Sequence, residues 1–174
     1  MALSANDIKR AFAALSEELA RDKCRAEVAI AGGAAMVLLF HARETTKDVD
    51  AYFLSPGAAI VRAAAERVAG GLNLPEDWLN DGAKGYFVGV TTGEVLFESK
   101  SLLIRAVSTA QLLAMKLAAW RDAVDRADAQ LLLSQIPGSV DEIWTIIKPF
   151  VPAHNLNKAS YALEDLWEAT HGTS

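Results

Sequence analysis

A short apolar segment that ends in two adjacent glycines constrains the fold of this chain more than any other feature. Residues 27–31 read Glu-Val-Ala-Ile-Ala, which has the length and apolar character of a buried strand, and Gly32 and Gly33 follow directly. The apolar run from Ala34 to His41 predicts a helix after this glycine turn. A strand that passes through a tight turn into a helix predicts an α/β layer in the N-terminal half of the chain.

A second predicted strand, 48–54, begins with two aspartates. A strand alternates its side chains, so Asp48 and Asp50 lie on one face while Val49 points into the core. Two carboxylates about 6–7 Å apart repel each other unless a positive charge lies between them. A divalent ion provides that charge, and oxygen ligands of this kind suit Mg²⁺ bound together with substrate phosphates.

The glycine pair adds a second chemical feature close to these aspartates. Glycine lets the backbone of Gly32 and Gly33 approach a ligand, and the N-terminus of the following helix favours anions. A site for phosphate beside a carboxylate pair is the arrangement that metal-assisted phosphoryl transfer needs. Each half alone has a plainer interpretation, a surface turn and a solvated strand edge, but the two occur within about twenty residues of each other.

The remaining chain predicts a mixed α/β (α+β) fold, a mixed sheet flanked by helices. The order is helix, strand, helix, strand, helix, two or three strands and then four helices. We interpret residues 1–174 as one domain, with an α/β core over 1–107 and a helical C-terminal part over 108–174 packed on it. The local signals are a Ser4/Asp7 cap, a Ser55-Pro56 helix start, a β-prone segment over 86–90, a hairpin turn at Thr92-Gly93 and a Ser139/Glu142 capping box.

Composition excludes several classes of protein. The net charge of −5, from 17 basic and 22 acidic residues, argues against broad nucleic-acid binding. The longest apolar run, 34–40, is too short to span a membrane, and the N-terminus shows no secretory signal. The single cysteine and three scattered histidines show no zinc-ligand spacing. We therefore expect a cytoplasmic protein with no membrane partner.

The segment 31–50 resembles the signature of the nucleotidyltransferase superfamily. The matching residues are Ala31-Gly32-Gly33, Arg43-x-Thr45 and Asp48-Val49-Asp50. The pattern is most similar to small bacterial proteins allied to AbiEii and to minimal-nucleotidyltransferase toxins of toxin–antitoxin systems. Two further segments, 74–80 and 112–128, resemble that branch, so the similarity covers about residues 26–133.

The resemblance implies a nucleotidyltransferase-like sheet and an activity. Such a protein would transfer a nucleoside monophosphate from an Mg²⁺-bound NTP to a hydroxyl of a tRNA, a protein or a small molecule. Asp48 and Asp50 would hold Mg²⁺ and act in catalysis, Gly33 and nearby backbone would hold the triphosphate, and Lys116 would contact phosphate. A toxin–antitoxin component would have a cognate antitoxin as its partner, and a homo-oligomer is the other expected assembly.

Several residues keep two interpretations at the sequence level. The predicted nucleotide-binding residues are Gly32, Gly33, Arg43 and Thr46. Arg43, which precedes the acidic strand, would pair with a phosphate, brace an aspartate or neutralise the acidic pair. Lys116, inside an apolar run, would contact phosphate or extend its amine to water. Arg121 and Asp122 are spaced to form surface salt bridges with the residues four positions on, Asp125 and Arg126.

The geometry of an unbroken helix limits one of these interpretations. Asp125 lies nine residues after Lys116, about 180° around a helix axis. The two residues can therefore face one site only if the chain breaks near 122–125.

The sequence contains no third carboxylate in a recognisable pattern. Active members of the superfamily usually bring one from a neighbouring strand, and the candidates here are Glu94 and Glu98, of which Glu98 is the better placed. The alternative function is therefore a catalytically degenerate protein of the same fold that binds nucleotide or a partner. A third interpretation is a structural α/β domain in which Asp48 and Asp50 only form caps or hydrogen bonds.

Overall fold

The structure, a computed structural model, describes residues 1–172 and confirms a mixed α/β fold. The chain forms two compact units: Met1–Lys84 with Thr92–Val107, and Gly85–Thr91 with the chain from Ser108 onward. The boundary after Val107 coincides with the predicted change from the α/β part to the helical part. Residues 85–91 belong to the helical unit, although they precede that boundary in sequence.

The first unit contains a five-stranded mixed sheet. The strands among its described residues are Leu3–Ser4 (β1), Ala26–Ala31 (β2), Thr45–Thr46 (β3), Val49–Ser55 (β4), Leu79–Asn80 (β5), Val95–Glu98 (β6) and Leu102–Ala106 (β7). The sheet order is β5-β4-β2-β7-β6, and β1 pairs separately with β3. Strand β2 is antiparallel to β4 and parallel to β7, β4 is parallel to β5, and β6 is antiparallel to β7.

The helices of this unit begin where the sequence offers capping or small residues. They are Ala5–Arg21 (α1), Gly32–Leu39 (α2) and Ala58–Leu72 (α3). Ser4 and Asp7 form a reciprocal capping box that starts α1, as predicted. The apolar stripe of α1 is fully buried and consists of Ile8, Phe12, Leu15 and Leu19.

Helices α1 and α3 pack against each other and contribute to the core of the unit. Phe12 lies between two aromatic rings, with centroid distances of 6.5 Å to Trp78 and 6.2 Å to Phe97. The indole nitrogen of buried Trp78 donates to the Ala65 carbonyl at 3.0 Å, so its polar atom is satisfied inside the core. This packing anchors the segment that leads into β5.

The second unit is helical. Its helices among the described residues are Thr109–Ala119 (α4), Ala123–Ser134 (α5), Val140–Ile147 (α6) and Leu156–His171 (α7). Ser139 and Glu142 form the predicted capping box at the start of α6. Helix α4 packs against α5 and α7, and its residues are almost entirely buried.

Two local predictions are wrong, both because distant contacts override a local signal. Ser55 pairs with Glu27 in the sheet, so α3 begins at Ala58 after an N-cap at Gly57 and Pro56 is not its first residue. The second is the hairpin turn at Thr92-Gly93, because the β-prone residues 86–90 form no strand that this turn could join to β6. The buried Gln111 side chain accepts a hydrogen bond from the Thr91 amide at 2.9 Å and donates to the Gly89 carbonyl at 3.0 Å, so this loop belongs to the helical unit.

None of the helices within residues 1–172 combines the length and apolar character needed to cross a membrane.

Candidate functional site

Gly32 brings the start of α2 against the carboxylate of Asp50. Ala31 pairs with Asp50 across the antiparallel strands β2 and β4, so the chain turns directly beside that side chain. Gly32 has φ +63, a left-handed conformation that residues with a Cβ adopt at a cost. A Cβ added to Gly32 would overlap Oδ2 of Asp50 and lie 3.2 Å from its Cγ. Both backbone conformation and space therefore require glycine at this position.

Gly33 makes the second close approach. A Cβ added there would overlap Oγ1 of Thr46 and lie 3.1 Å from Nη2 of Arg43. The Thr46 hydroxyl donates to the backbone carbonyl of Asp48 at 3.3 Å, which links β3 to the start of the acidic strand. The structure thus brings together five of the predicted site residues: Gly32, Gly33, Arg43, Thr46 and Asp50.

In the part of the chain that the structure describes, helix α2 begins without a side-chain cap at its N-terminus. Its N-cap is Ala31, and within residues 1–172 no side chain caps this helix and no acidic residue occupies its first turn. The first N–H groups of a helix have no intrahelical acceptor and carry partial positive charge. Gly32 and Gly33 are half-buried, so the turn reaches the surface beside Arg43. These features favour the binding of an anion.

The acidic pair has the alternation expected of a strand. Asp48 directly precedes β4, Asp50 is its second residue, and both are half-buried while Val49 between them is fully buried. The two carboxylates therefore project from one face of the sheet beside the glycine turn. Such a pair can contribute two oxygen ligands to a magnesium ion whose other ligands are phosphate oxygens and water.

Asn80, for which the sequence predicted no role, lies beside the two aspartates. It lies on β5 in register with Asp50, and its amide nitrogen donates to Oδ2 of Asp48 at 3.2 Å. The sequence signal that could have identified it is the order of residues 78–82, where an apolar anchor, Trp78-Leu79, precedes a polar turn. Pairing between β4 and β5, which brings Asn80 to the aspartates, is a long-range contact without a local signal.

The predicted third ligand, Glu98, lies far from the acidic pair. Glu98 pairs with Leu103, and Leu103 pairs with Glu27, four residues before Ala31, the partner of Asp50. Four residues correspond to about 13 Å along a strand, and β6 lies three inter-strand spacings, about 14 Å, from β4. A glutamate side chain cannot bridge that separation.

Glu94 lies at the same end of the strands as Asp50, but it is next to β7, away from β4. Its carbonyl accepts from the Ala106 amide at 2.9 Å, which places it beyond β7, and the residue is exposed. Within residues 1–172 no three histidine, cysteine, aspartate or glutamate side chains are grouped so that they could hold a metal ion. Of the four predicted carboxylate ligands, the structure therefore brings only Asp48 and Asp50 to the glycine turn.

Lys116 lies in the second unit, and its ammonium is held by two carboxylates. Nζ lies 2.9 Å from Oδ1 of Asp125 and 2.8 Å from Oδ2 of Asp128. All three residues are buried, with relative exposures of 8% for Lys116 and 2% for each aspartate. The interpretation that the amine extends to water is therefore wrong, whereas a contact with phosphate stays a prediction.

The chain breaks where the geometry of Lys116 and Asp125 requires it. Helix α4 ends at Ala119, and Trp120 adopts a left-handed conformation with φ 38. Asp122 then caps α5 by accepting from the amides of Val124 and Asp125 at 3.0 and 2.9 Å. This break turns Asp125 back towards Lys116.

The surface salt bridges predicted four residues apart within 121–126 are only partly correct. Arg121 does contact Asp125, with Nε at 3.0 Å from Oδ2, but that carboxylate is buried. Asp122 serves as a cap, and the guanidinium of Arg126 lies 5.3 Å from the centroid of the Trp120 ring. The junction is thus a buried charged cluster with an aromatic contact at its edge.

Burial and ion pairing shift the pKa of Asp125 in opposite directions. Burial favours the protonated acid, but hydrogen bonds from Arg121 and Lys116 outweigh it and lower the pKa of Asp125 from 3.8 to about 2. A carboxyl group with a lowered pKa in the folded state stabilises the fold above its unfolded pKa. That contribution is lost as the pH falls through the folded pKa.

We expect acid to weaken the α4–α5 junction over this interval. Between about pH 4 and pH 2 the folded state should lose about 2 kcal/mol through Asp125 alone. Urea unfolding of wild type and of Asp125→Asn at pH 5 and at pH 2.5 measures this effect. The variant should be less stable at pH 5 and should lose less stability than wild type on acidification. Equal losses in the two proteins would contradict the assignment.

No family model, curated protein or solved structure matches the chain.

Proposed function

We propose that the protein binds Mg²⁺ and a nucleoside triphosphate at the glycine turn and transfers the nucleoside monophosphate to a hydroxyl acceptor. The observation that carries this proposal is the close approach of Gly32 to the Asp50 carboxylate. In this arrangement the first amides of α2, which favour phosphate, lie beside an acidic pair, which favours a divalent ion. A structural turn does not require both features at one point.

Each residue of the site has a distinct task in this proposal. Asp48 and Asp50 hold the metal, which when bound would neutralise the triphosphate and lower the pKa of the acceptor hydroxyl. The amide of Gly33 and the guanidinium of Arg43 hold phosphate oxygens, and Thr46 supports the loop between them. The acceptor oxygen forms a bond to the α-phosphorus as the bond breaks between that phosphorus and the oxygen that bridges the α- and β-phosphates. Pyrophosphate leaves, and the hydroxyl proton passes to solvent.

The acceptor and partners follow from charge and from the resemblance. A net charge of −5 disfavours a large RNA as the acceptor and favours a protein side chain or a small molecule over a tRNA. We place the protein in the cytoplasm, where NTPs are available. As a component of a toxin–antitoxin pair it would bind a cognate antitoxin or a second copy of itself.

A second candidate is binding of the metal–nucleotide complex without transfer. The displacement of both Glu94 and Glu98 from the acidic pair favours it. Two-metal catalysis of phosphoryl transfer needs ligands for two ions about 3.5–4 Å apart, and two aspartates supply few. The two candidates share the binding site and differ in whether pyrophosphate is released.

Calorimetric titration of each NTP with Mg²⁺ tests the shared site. Wild type should bind at least one NTP only when Mg²⁺ is present, and Asp48→Asn/Asp50→Asn should lose that binding because both metal ligands become neutral. The matched control is Asp141→Asn/Asp165→Asn, which removes two exposed carboxylates from α6 and α7 and should bind like wild type. Folded wild type that binds no NTP would contradict the proposal.

Pyrophosphate release separates transfer from binding alone. Wild type, the site variant and the control are incubated with the bound NTP and with candidate acceptors, and pyrophosphate is measured. Release by wild type and the control, but not by the site variant, supports transfer. Mg²⁺-dependent binding without release by any of the three supports the second candidate.

A further inference from the structure

Asn80 lies beside the acidic pair, in a strand that is anchored by buried residues. The preceding residues Trp78 and Leu79 are buried, and β5 places Asn80 directly in register with Asp50 on the neighbouring strand. Paired residues on adjacent strands lie about 5 Å apart and project to the same face. Asn80 therefore shares the face from which Asp48 and Asp50 project.

The local turn fixes which end of the Asn80 amide faces the aspartates. Oδ1 accepts the backbone N–H of Gly82 at 2.8 Å, a contact that only the oxygen can make. The amide nitrogen must then point the other way, where it donates to Oδ2 of Asp48 and to the Asp77 carbonyl, each at 3.2 Å. Gly82 allows this geometry, because a Cβ there would lie 2.9 Å from Oδ1.

We propose that Asn80 is a positioning residue that orients Asp48 and limits the site to two negative charges. This inference rests on the proposed function, because it concerns the metal ligands of that site. An asparagine in register with Asp50 supplies a hydrogen-bond donor where an aspartate would supply a third carboxylate. With two carboxylates the site binds a free divalent ion weakly and needs the phosphates of a nucleotide to complete the coordination. The site therefore selects the metal–nucleotide complex over the free ion.

The substitution Asn80→Asp separates charge from structure. The new carboxylate keeps an oxygen that accepts from Gly82, and it replaces the donor facing Asp48 with a second oxygen. Without a divalent ion, three clustered carboxylates should lower the melting temperature below that of wild type. With Mn²⁺ alone, the variant should bind about tenfold more tightly than wild type and recover its melting temperature. Mn²⁺ affinity is measured by electron paramagnetic resonance and stability by thermal unfolding.

The substitution Asn80→Ala tests orientation. Losing the donor should weaken binding of the Mn²⁺–nucleotide complex about tenfold, as is typical of residues that orient metal ligands. Asn157→Asp and Asn157→Ala, at an exposed position of α7, are the matched controls and should behave like wild type. If Asn80→Ala fails to fold, Asn80→Asp carries the test, because it retains the contact with Gly82.

The outcomes distinguish this inference from the proposed function. If Asp48→Asn/Asp50→Asn abolishes Mn²⁺–nucleotide binding while both Asn80 variants match the Asn157 controls, the inference is overturned and the proposed function stands. If wild type binds no Mn²⁺–nucleotide, the proposed function fails. Mn²⁺-dependent stabilisation confined to Asn80→Asp would then still support the placement of Asn80 beside the two aspartates, and its absence would overturn that as well.

Discussion

Lys116→Met is expected to lower the free energy of unfolding by about 3–5 kcal/mol, the cost typical of breaking a buried ion pair. The substitution removes the cation that contacts both Asp125 and Asp128, whose relative exposures are only 2%. Arg121 still reaches Asp125, but its own side chain is largely exposed and compensates little. Methionine fills a similar volume, so the loss reports mainly the uncompensated charge.

Urea unfolding followed by circular dichroism measures this loss, with Lys148→Met as the matched control. Lys148 is exposed, and its replacement should change stability by no more than about 0.5 kcal/mol. Asp128→Asn should cost less in the Lys116→Met background than in wild type, because the pair interaction is already absent. A Lys116→Met protein as stable as the control would contradict the structural role of the cluster.

The same variant tests the phosphate contact that the family resemblance implies for Lys116. A destabilised protein that binds Mg²⁺–NTP with wild-type affinity, measured well below its unfolding midpoint, would assign Lys116 to the α4–α5 junction alone. Loss of NTP binding in a folded variant would support the phosphate contact. Binding affinity and unfolding free energy are separate measurements, so the two roles are separable.

Gly32→Ala is expected to impair both stability and binding. The left-handed φ costs a residue with a Cβ about 1–2 kcal/mol, and the added methyl group would overlap the Asp50 carboxylate. Rotation of that carboxylate could relieve the overlap with Oδ2, but it would turn a metal ligand away from the site. We therefore expect Mg²⁺–NTP affinity to fall at least about tenfold even if the protein folds.

Gly70→Ala is the control, because we expect this substitution to raise the stability of the protein. Gly70 lies inside α3 and has no non-local atom within 4 Å of an added Cβ. Alanine at this position should therefore stabilise the protein by about 0.5–1 kcal/mol. Calorimetry with Mg²⁺–NTP and thermal unfolding compare the two variants with wild type. Wild-type stability and affinity in Gly32→Ala would contradict the placement of the glycine turn against Asp50.

Much of the candidate site was predictable because its signals are local. The glycine turn, the alternation around Val49 and the spacing of Asp48 and Asp50 all lie within one segment of the chain. The repeat of a helix or strand decides which residues of one segment share a face, and it does so independently of the rest of the protein. What this segment could not indicate is which residue of another strand lies beside it.

Features whose partners lie within one helical turn or one strand could be predicted from the sequence alone. The capping boxes at Ser4 and Ser139 depend only on residues three positions away, and the sequence placed both correctly. The break between α4 and α5 was required by geometry if Lys116 and Asp125 were to meet, and the turn at Trp120 and Asp122 provides it.

Contacts between residues far apart in sequence became known from the folded structure. Asn80 meets Asp48 because β5 pairs with β4, and Glu98 lies away from Asp50 because β6 pairs on the far side of β7. Residues 86–90 have a strand-like composition, yet no strand forms there, and the Gln111 side chain bonds to the Gly89 carbonyl and the Thr91 amide instead. Strand pairing and buried polar contacts depend on the whole packed chain. The repeat of apolar residues along one strand or helix therefore indicates which face a residue occupies, but it does not indicate which distant residue lies beside it.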